Sequence, residues 1–169
     1  TQEALHSVGD VLDAAGIEHA VLLGHSDGAT IATIYGGSVS DMRVRSLILM
    51  APHYFTEPMG LAAIKAAGDA YASGGLKEKL AKYHTNVEVA FNGWHGAWTD
   101  PKFEAWNVGD SIDHLRIPVL AIQGRDDPYG TLAQINEIET RIYSPVETSI
   151  LDNCGHAPHL DQPHATLDA

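Results

Sequence analysis

Apolar positions along this chain of 169 residues follow two periods in turn. Leu5, Val8, Leu12 and Ala15 recur at spacings of three and four, which predicts an amphipathic helix over Thr1–Gly16 with Gly16 as its stop. The next apolar run, Ala20-Val21-Leu22-Leu23, is short and unbroken and predicts a buried strand over 19–24. Helical spacing returns from Ser26 to Tyr35, with Ala29, Ala32 and Tyr35 on one side, and Gly36-Gly37 mark its expected end. Further strands are predicted over Arg45–Ala51, stopped by Pro52, over Ile117–Gly124 and over Val146–Leu151. Leu132, Ile135, Ile138 and Ile142 place a helix over Thr131–Ile142. Parallel strands need crossovers, and runs that are apolar throughout suit strands covered on both faces. The alternation therefore predicts an α/β domain with a mostly parallel sheet.

One stretch breaks the rhythm. Between the second and third strands lie some sixty residues, Pro52–Arg116, where a crossover needs far fewer. Pro58–Leu80 looks helical, an aromatic-rich run follows from Phe91 to Trp98, and Asp100-Pro101 offers a helix start. This predicts a helical cap inserted at residues 53–106 over the carboxyl ends of the strands, where α/β folds place their ligands, with the core formed by 1–52 and 107–169.

Candidate chemistry sits at the strand ends. Gly24-His25-Ser26-Asp27-Gly28 fits G-x-S-x-G with a strand before it and a helix after it, the setting of a strained turn that exposes a nucleophilic serine. The plainer alternative is a helix-capping serine between two glycines. A serine hydroxyl attacks only when a base takes its proton, so an acid and a histidine are expected downstream. Asp126 and Asp127 follow the third strand, and His156 follows the fourth, with His159 and His164 as rivals. Asp127 is the expected acid and Asp126 its fallback. Either one could instead be a turn or capping residue. The order along the chain is then Ser, Asp, His.

These pieces resemble the α/β-hydrolase superfamily from Gly16 to the carboxyl end, through Leu22–Gly28, Ile117–Asp127, Gly155-His156 and Asp161-Gln162-Pro163. The resemblance implies a catalytic triad of Ser26, Asp127 and His156 and an oxyanion donor in the Asp27 backbone N–H. It implies a serine hydrolase acting on a small carboxylic ester, lactone or related acyl compound. Carbon–carbon bond hydrolysis of ring-cleavage diketones is the alternative within enzymes, and a non-catalytic binding module on the same fold the alternative outside them. Ser26-Asp27-Gly28 also resembles the biphenyl-hydrolase-like branch, in which an acid after the nucleophile holds an ammonium group. The residues expected to face substrate are Asp27, Trp94, Trp98 and His25, although each has a packing or capping alternative. The family fold has about eight strands, of which only four are found here, none before Ser26 beyond Ala20–Leu23. The sequence is accordingly expected to be the carboxyl-terminal part of the fold, with its amino-terminal strands and second oxyanion donor missing.

Composition narrows the partners. A net charge of −12 argues against nucleic acid and against anionic membrane surfaces, and no run approaches a membrane-spanning length. Cys154 is the only cysteine, so no intrachain disulfide forms, and the expected compartment is the cytoplasm. The histidines lack a metal-ligand spacing, and no cofactor is expected. A small-molecule substrate is the expected partner, with oligomeric state open and a homodimer among the options.

Overall fold

The computed structural model describes residues 2–169, and side chains from Ala4 onward. Helix α1 spans Gln2–Ala14, strand β1 Ala20–His25, α2 Asp27–Ser38 and β2 Val44–Met50. Helices α3 (Pro58–Ala72), α4 (Gly75–Leu80) and α5 (Val87–Thr99) follow. Strand β3 (Val119–Gly124), α6 (Ala133–Arg141), β4 (Val146–Leu151), α7 (Pro158–Asp161) and α8 (Pro163–Asp168) complete the order. The chain divides into two compact units, one formed by residues 1–55 with 107–169 and the other by 56–106.

The first unit is built on a four-stranded, wholly parallel sheet in the order β1-β2-β3-β4. Leu47, Leu49, Val119 and Ala121 from the central strands pack with Leu12, Ala29, Ala32, Tyr35, Ile112, Ile135 and Ile138 into one core. A second cluster of Met50, Ile122, Leu151 and Cys154 forms separately. The central strands are largely buried, whereas the outer ones are not. On β1, Val21 is 52% and Leu23 62% exposed. Burial is thus near complete for β3 and most of β2, with Ile48 and Leu120 partly buried, and incomplete for the outer strands β1 and β4.

Local chemistry explains the element ends. After α1, Gly16 takes φ +64°, its N–H reaches the Asp13 carbonyl and the Ile17 N–H reaches the Leu12 carbonyl, the paired bonds of a glycine-terminated helix. The expected stop at Gly36-Gly37 is not one: α2 runs on to Ser38. The two glycines serve close packing instead, since a Cβ on Gly37 would lie 2.0 Å from the Ser111 carbonyl oxygen, and one on Gly36 would press on Leu47 and Leu115.

The second unit is helical. The stretch from Pro58 to Leu80 is two helices, broken where Gly74 takes φ +96°. The aromatic run lies inside α5, capped by Asn86 accepting from the Val89 N–H, and Asp100-Pro101 starts only a single 3-10 turn. Phe91 stacks on Tyr71 with ring centroids 3.8 Å apart, while Trp98, Phe103 and Trp106 form a second cluster.

Candidate active site

Ser26 occupies the junction of β1 and α2 with φ +55° and ψ −123°, a region that L-residues enter only under constraint. Two features hold it there. The Ser26 N–H donates to the Met50 carbonyl on β2 at 2.9 Å. The end of β1 also lies so close to the start of α2 that a Cβ on Gly24 would stand 2.3 Å from the Gly28 carbonyl oxygen. Gly28, the other glycine of the motif, has no such restriction, as its Cβ would meet nothing within 4 Å. Only one of the two glycines is therefore required by contact.

Asp127 follows β3 on a tight turn. Its side chain is fully buried and makes three hydrogen bonds. The Tyr129 N–H donates to Oδ1 at 2.8 Å, the Gln123 amide to Oδ2 at 2.9 Å, and His156 Nδ1 lies 2.8 Å from Oδ2. Burial alone would push this carboxyl up. The hydrogen bond and charge of His156, with the Tyr129 and Gln123 donors, outweigh it and hold the carboxyl below its ordinary value. Asp126 is exposed and contributes its backbone, donating its N–H to the Cys154 carbonyl at 2.9 Å.

His156 follows β4, and its Nε2 lies 2.9 Å from Ser26 Oγ. A carboxylate accepts, so Nδ1 carries a proton toward Asp127, and in the neutral ring Nε2 is left to accept from the serine hydroxyl. The loop before it is fixed from several directions. Asp161 accepts from the Gly155 N–H at 2.9 Å, and Gln162 donates to the Asn153 carbonyl at 3.2 Å. A Cβ on Gly124 would stand 2.1 Å from the Gly155 carbonyl oxygen, so the loops after β3 and β4 touch through backbone. Cys154 is buried there, and burial pushes its thiol up.

The structure thus brings Ser26, Asp127 and His156 into one hydrogen-bonded line. His25, in the same turn as Ser26, is half-buried and places Nε2 2.6 Å from the His156 carbonyl oxygen. Burial lowers its pKa, partly offset by that hydrogen bond. Asp27 opens the first turn of α2, where backbone N–H groups have no intrahelical acceptor and the helix dipole favours negative charge. His159 lies edge-on to His25 with ring centroids 5.0 Å apart, and His164 is exposed on α8. Trp94 packs near Phe91 and His95, and Trp98 near Phe103 and Trp106, all within the second unit.

Sequence reasoning missed Gln123, His53 and Tyr129. Gln123 is fully buried, and its signal was a lone polar residue at the end of the apolar run of β3. The rings of His53 and Tyr129 lie 5.5 and 4.8 Å from that of His156, contacts that local pattern does not encode. Among the described residues no group of His, Cys, Asp and Glu could hold a metal ion, and no helix is long and apolar enough to cross a membrane.

The family profile described as alpha/beta hydrolase matches residues 2–169. No curated protein matches the chain in a sequence search. Several solved structures are similar. A bacterial membrane phospholipase A superposes with a TM-score of 0.72 at 19% identity, over 95% of this chain and 60% of its own. A meta-cleavage product hydrolase from Pseudomonas fluorescens IP01 gives 0.63 at 19%, over 95% and 65%. An esterase from Rhodococcus sp. ECU1013 gives 0.61 at 21%, over 98% and 68%. At these identities the likeness is one of fold, and the chain spans 60–68% of those three proteins' lengths.

Proposed function

Because this chain belongs to the alpha/beta hydrolase family, we propose that it carries the triad of a serine hydrolase that cleaves a small carboxylic ester, lactone or related acyl compound. The observation that carries the reading is the line from Ser26 Oγ through His156 to Asp127, at 2.9 and 2.8 Å, on a serine held at positive φ.

In this reading Ser26 Oγ attacks the acyl carbon while His156 Nε2 takes its proton. The Asp27 backbone N–H, at the positive end of α2, donates to the oxyanion as it forms. His156 then returns the proton to the leaving alkoxide, and an acyl-Ser26 intermediate remains. A water molecule activated by the same nitrogen hydrolyses it. Asp127 stays ionised throughout, fixes the Nδ1–H tautomer and stabilises the imidazolium. The Asp27 carboxylate biases the acyl pocket toward cationic or polar groups, a bias that Asp27→Ala removes selectively on amino-acid esters.

Labelling with a fluorophosphonate probe tests the assignment. The folded protein is expected to label and Ser26→Ala to lose the label. An unlabelled, folded wild-type protein overturns it. Turnover of a ring-cleavage dienone in preference to nitrophenyl esters would replace the acyl substrate class with a carbon–carbon one.

A further inference from the structure

The residue before the nucleophile makes a contact that the triad mechanism does not use. His25 Nε2 and the His156 carbonyl oxygen are 2.6 Å apart, although the residues are 131 positions apart in sequence. A carbonyl oxygen only accepts, so Nε2 carries the proton and the ring is a donor. The bond therefore joins the main chain of the candidate base to the turn that holds the candidate nucleophile.

Neighbouring contacts show why such a link matters. The loop of His156 is tethered on its amino side by Asp126 and Asp161, and just beyond it α7 begins at Pro158. The turn of Ser26 is tethered to β2 through its own N–H. Each side chain is thus fixed to a different part of the sheet, and the His25 bond ties the two parts directly. From these contacts we infer that His25 is a positioning residue: its Nε2–H clamps the His156 main chain to the nucleophile turn and holds Nε2 of His156 on Ser26 Oγ. The inference rests on the serine-hydrolase reading for its effect on rate, but not for the existence of the clamp.

Two variants separate the clamp from packing. The His25 ring also lies 5.0 Å from the rings of His156 and His159, so it fills space as well as donating. His25→Phe keeps a ring and loses the donor, whereas His25→Gln loses the ring and keeps a terminal N–H. A displacement of 1 Å in a catalytic group costs up to about 100-fold in rate, and a loosened tether is expected to cost part of that. His25→Phe is accordingly expected to lower kcat roughly ten-fold with KM within about two-fold, and His25→Gln to stay within about three-fold of wild type. Amide hydrogen exchange over residues 153–157 is expected to quicken in His25→Phe and to remain slow in His25→Gln.

An active Phe variant beside an impaired Gln variant would make the role one of packing and overturn the clamp. Two variants indistinguishable from wild type in rate and exchange would do the same. If the wild-type protein neither labels nor turns over esters, the hydrolase reading fails and exchange alone decides the clamp. Should His25→Phe not fold, His25→Leu replaces it, since it also lacks the donor.

Discussion

Gly24 and Gly28 bracket Ser26 in the same five-residue motif, yet alanine at the two positions should have opposite effects. At Gly24 the new Cβ would stand 2.3, 2.4 and 2.5 Å from the Gly28 oxygen, the Gly28 carbonyl carbon and the Ala29 nitrogen, all of them backbone atoms. Reaching ordinary contact near 3.4 Å requires the start of α2 to move by about 1 Å. Overpacking of this kind costs about 1–3 kcal/mol, and for a chain of this size each kcal/mol lowers Tm by about 2–4 °C. The same displacement stretches the 2.9 Å contact of Ser26 with His156 beyond hydrogen-bond reach, and about 100-fold in rate goes with it. At Gly28 the Cβ meets nothing, and replacing a helical glycine by alanine gains up to about 1 kcal/mol, or a rise of ~1–4 °C. Thermal melts followed by circular dichroism, with probe-labelling rates for Gly24→Ala, read both effects. A Gly24→Ala protein that melts and labels like wild type would refute the reasoning, as would a Gly28→Ala protein that melts several degrees lower.

Three further outcomes are expected. Asp127→Asn keeps the shape but removes the charge that fixes the His156 tautomer, and kcat should fall by on the order of 10³–10⁴. Because the folded state holds the Asp127 carboxyl below its ordinary value, its contribution to stability is complete above the unfolded value of about 4 and is lost as pH falls through the folded one. Urea unfolding from pH 7 to 3 should therefore show a shallower acid loss in the variant, and an unchanged acid limb would show that Asp127 does not carry it. On the outer strand, Val21→Lys with Leu23→Lys should leave unfolding free energy within about 0.5 kcal/mol while raising the temperature at which light scattering reports aggregation. A Tm lowered by many degrees would show those side chains to be packed.

The framework was legible because it rests on local pattern. The Val146–Leu151 strand coincides with its expected bounds, and the other strands lie within two residues of theirs. Ser26, Asp127 and His156 were readable because each follows a strand, and the carboxyl ends of parallel strands share one edge of the sheet. What escaped depends on partners remote in sequence. Gly36 and Gly37 read as a stop because nothing nearby shows Ser111 or Leu115 pressing against them. The run Phe91–Trp98 read only as aromatic-rich, whereas it is a helix with Tyr71 stacked on Phe91. His25 read as substrate-facing or packed in its turn, because its acceptor lies 131 residues away.

The roots of the segment between β2 and β3 have a consequence for variation. Phe55 and Asn107 pair as an antiparallel bridge, and the Val108 N–H donates to the Tyr54 carbonyl at 2.7 Å. The roughly fifty residues in between therefore leave and re-enter the sheet domain at neighbouring points. Lengthening a closed loop from a few residues to about fifty adds only some 2 kcal/mol of closure entropy. To the sheet, this whole segment is a tolerable substitute for a hairpin turn. Its sequence and size can drift, be exchanged or be rebuilt while Ser26, Asp127 and His156, all rooted outside it, keep their spacing. Change in length and composition can then be confined to one stretch of the chain while the spacing of the strand-end residues is kept by another.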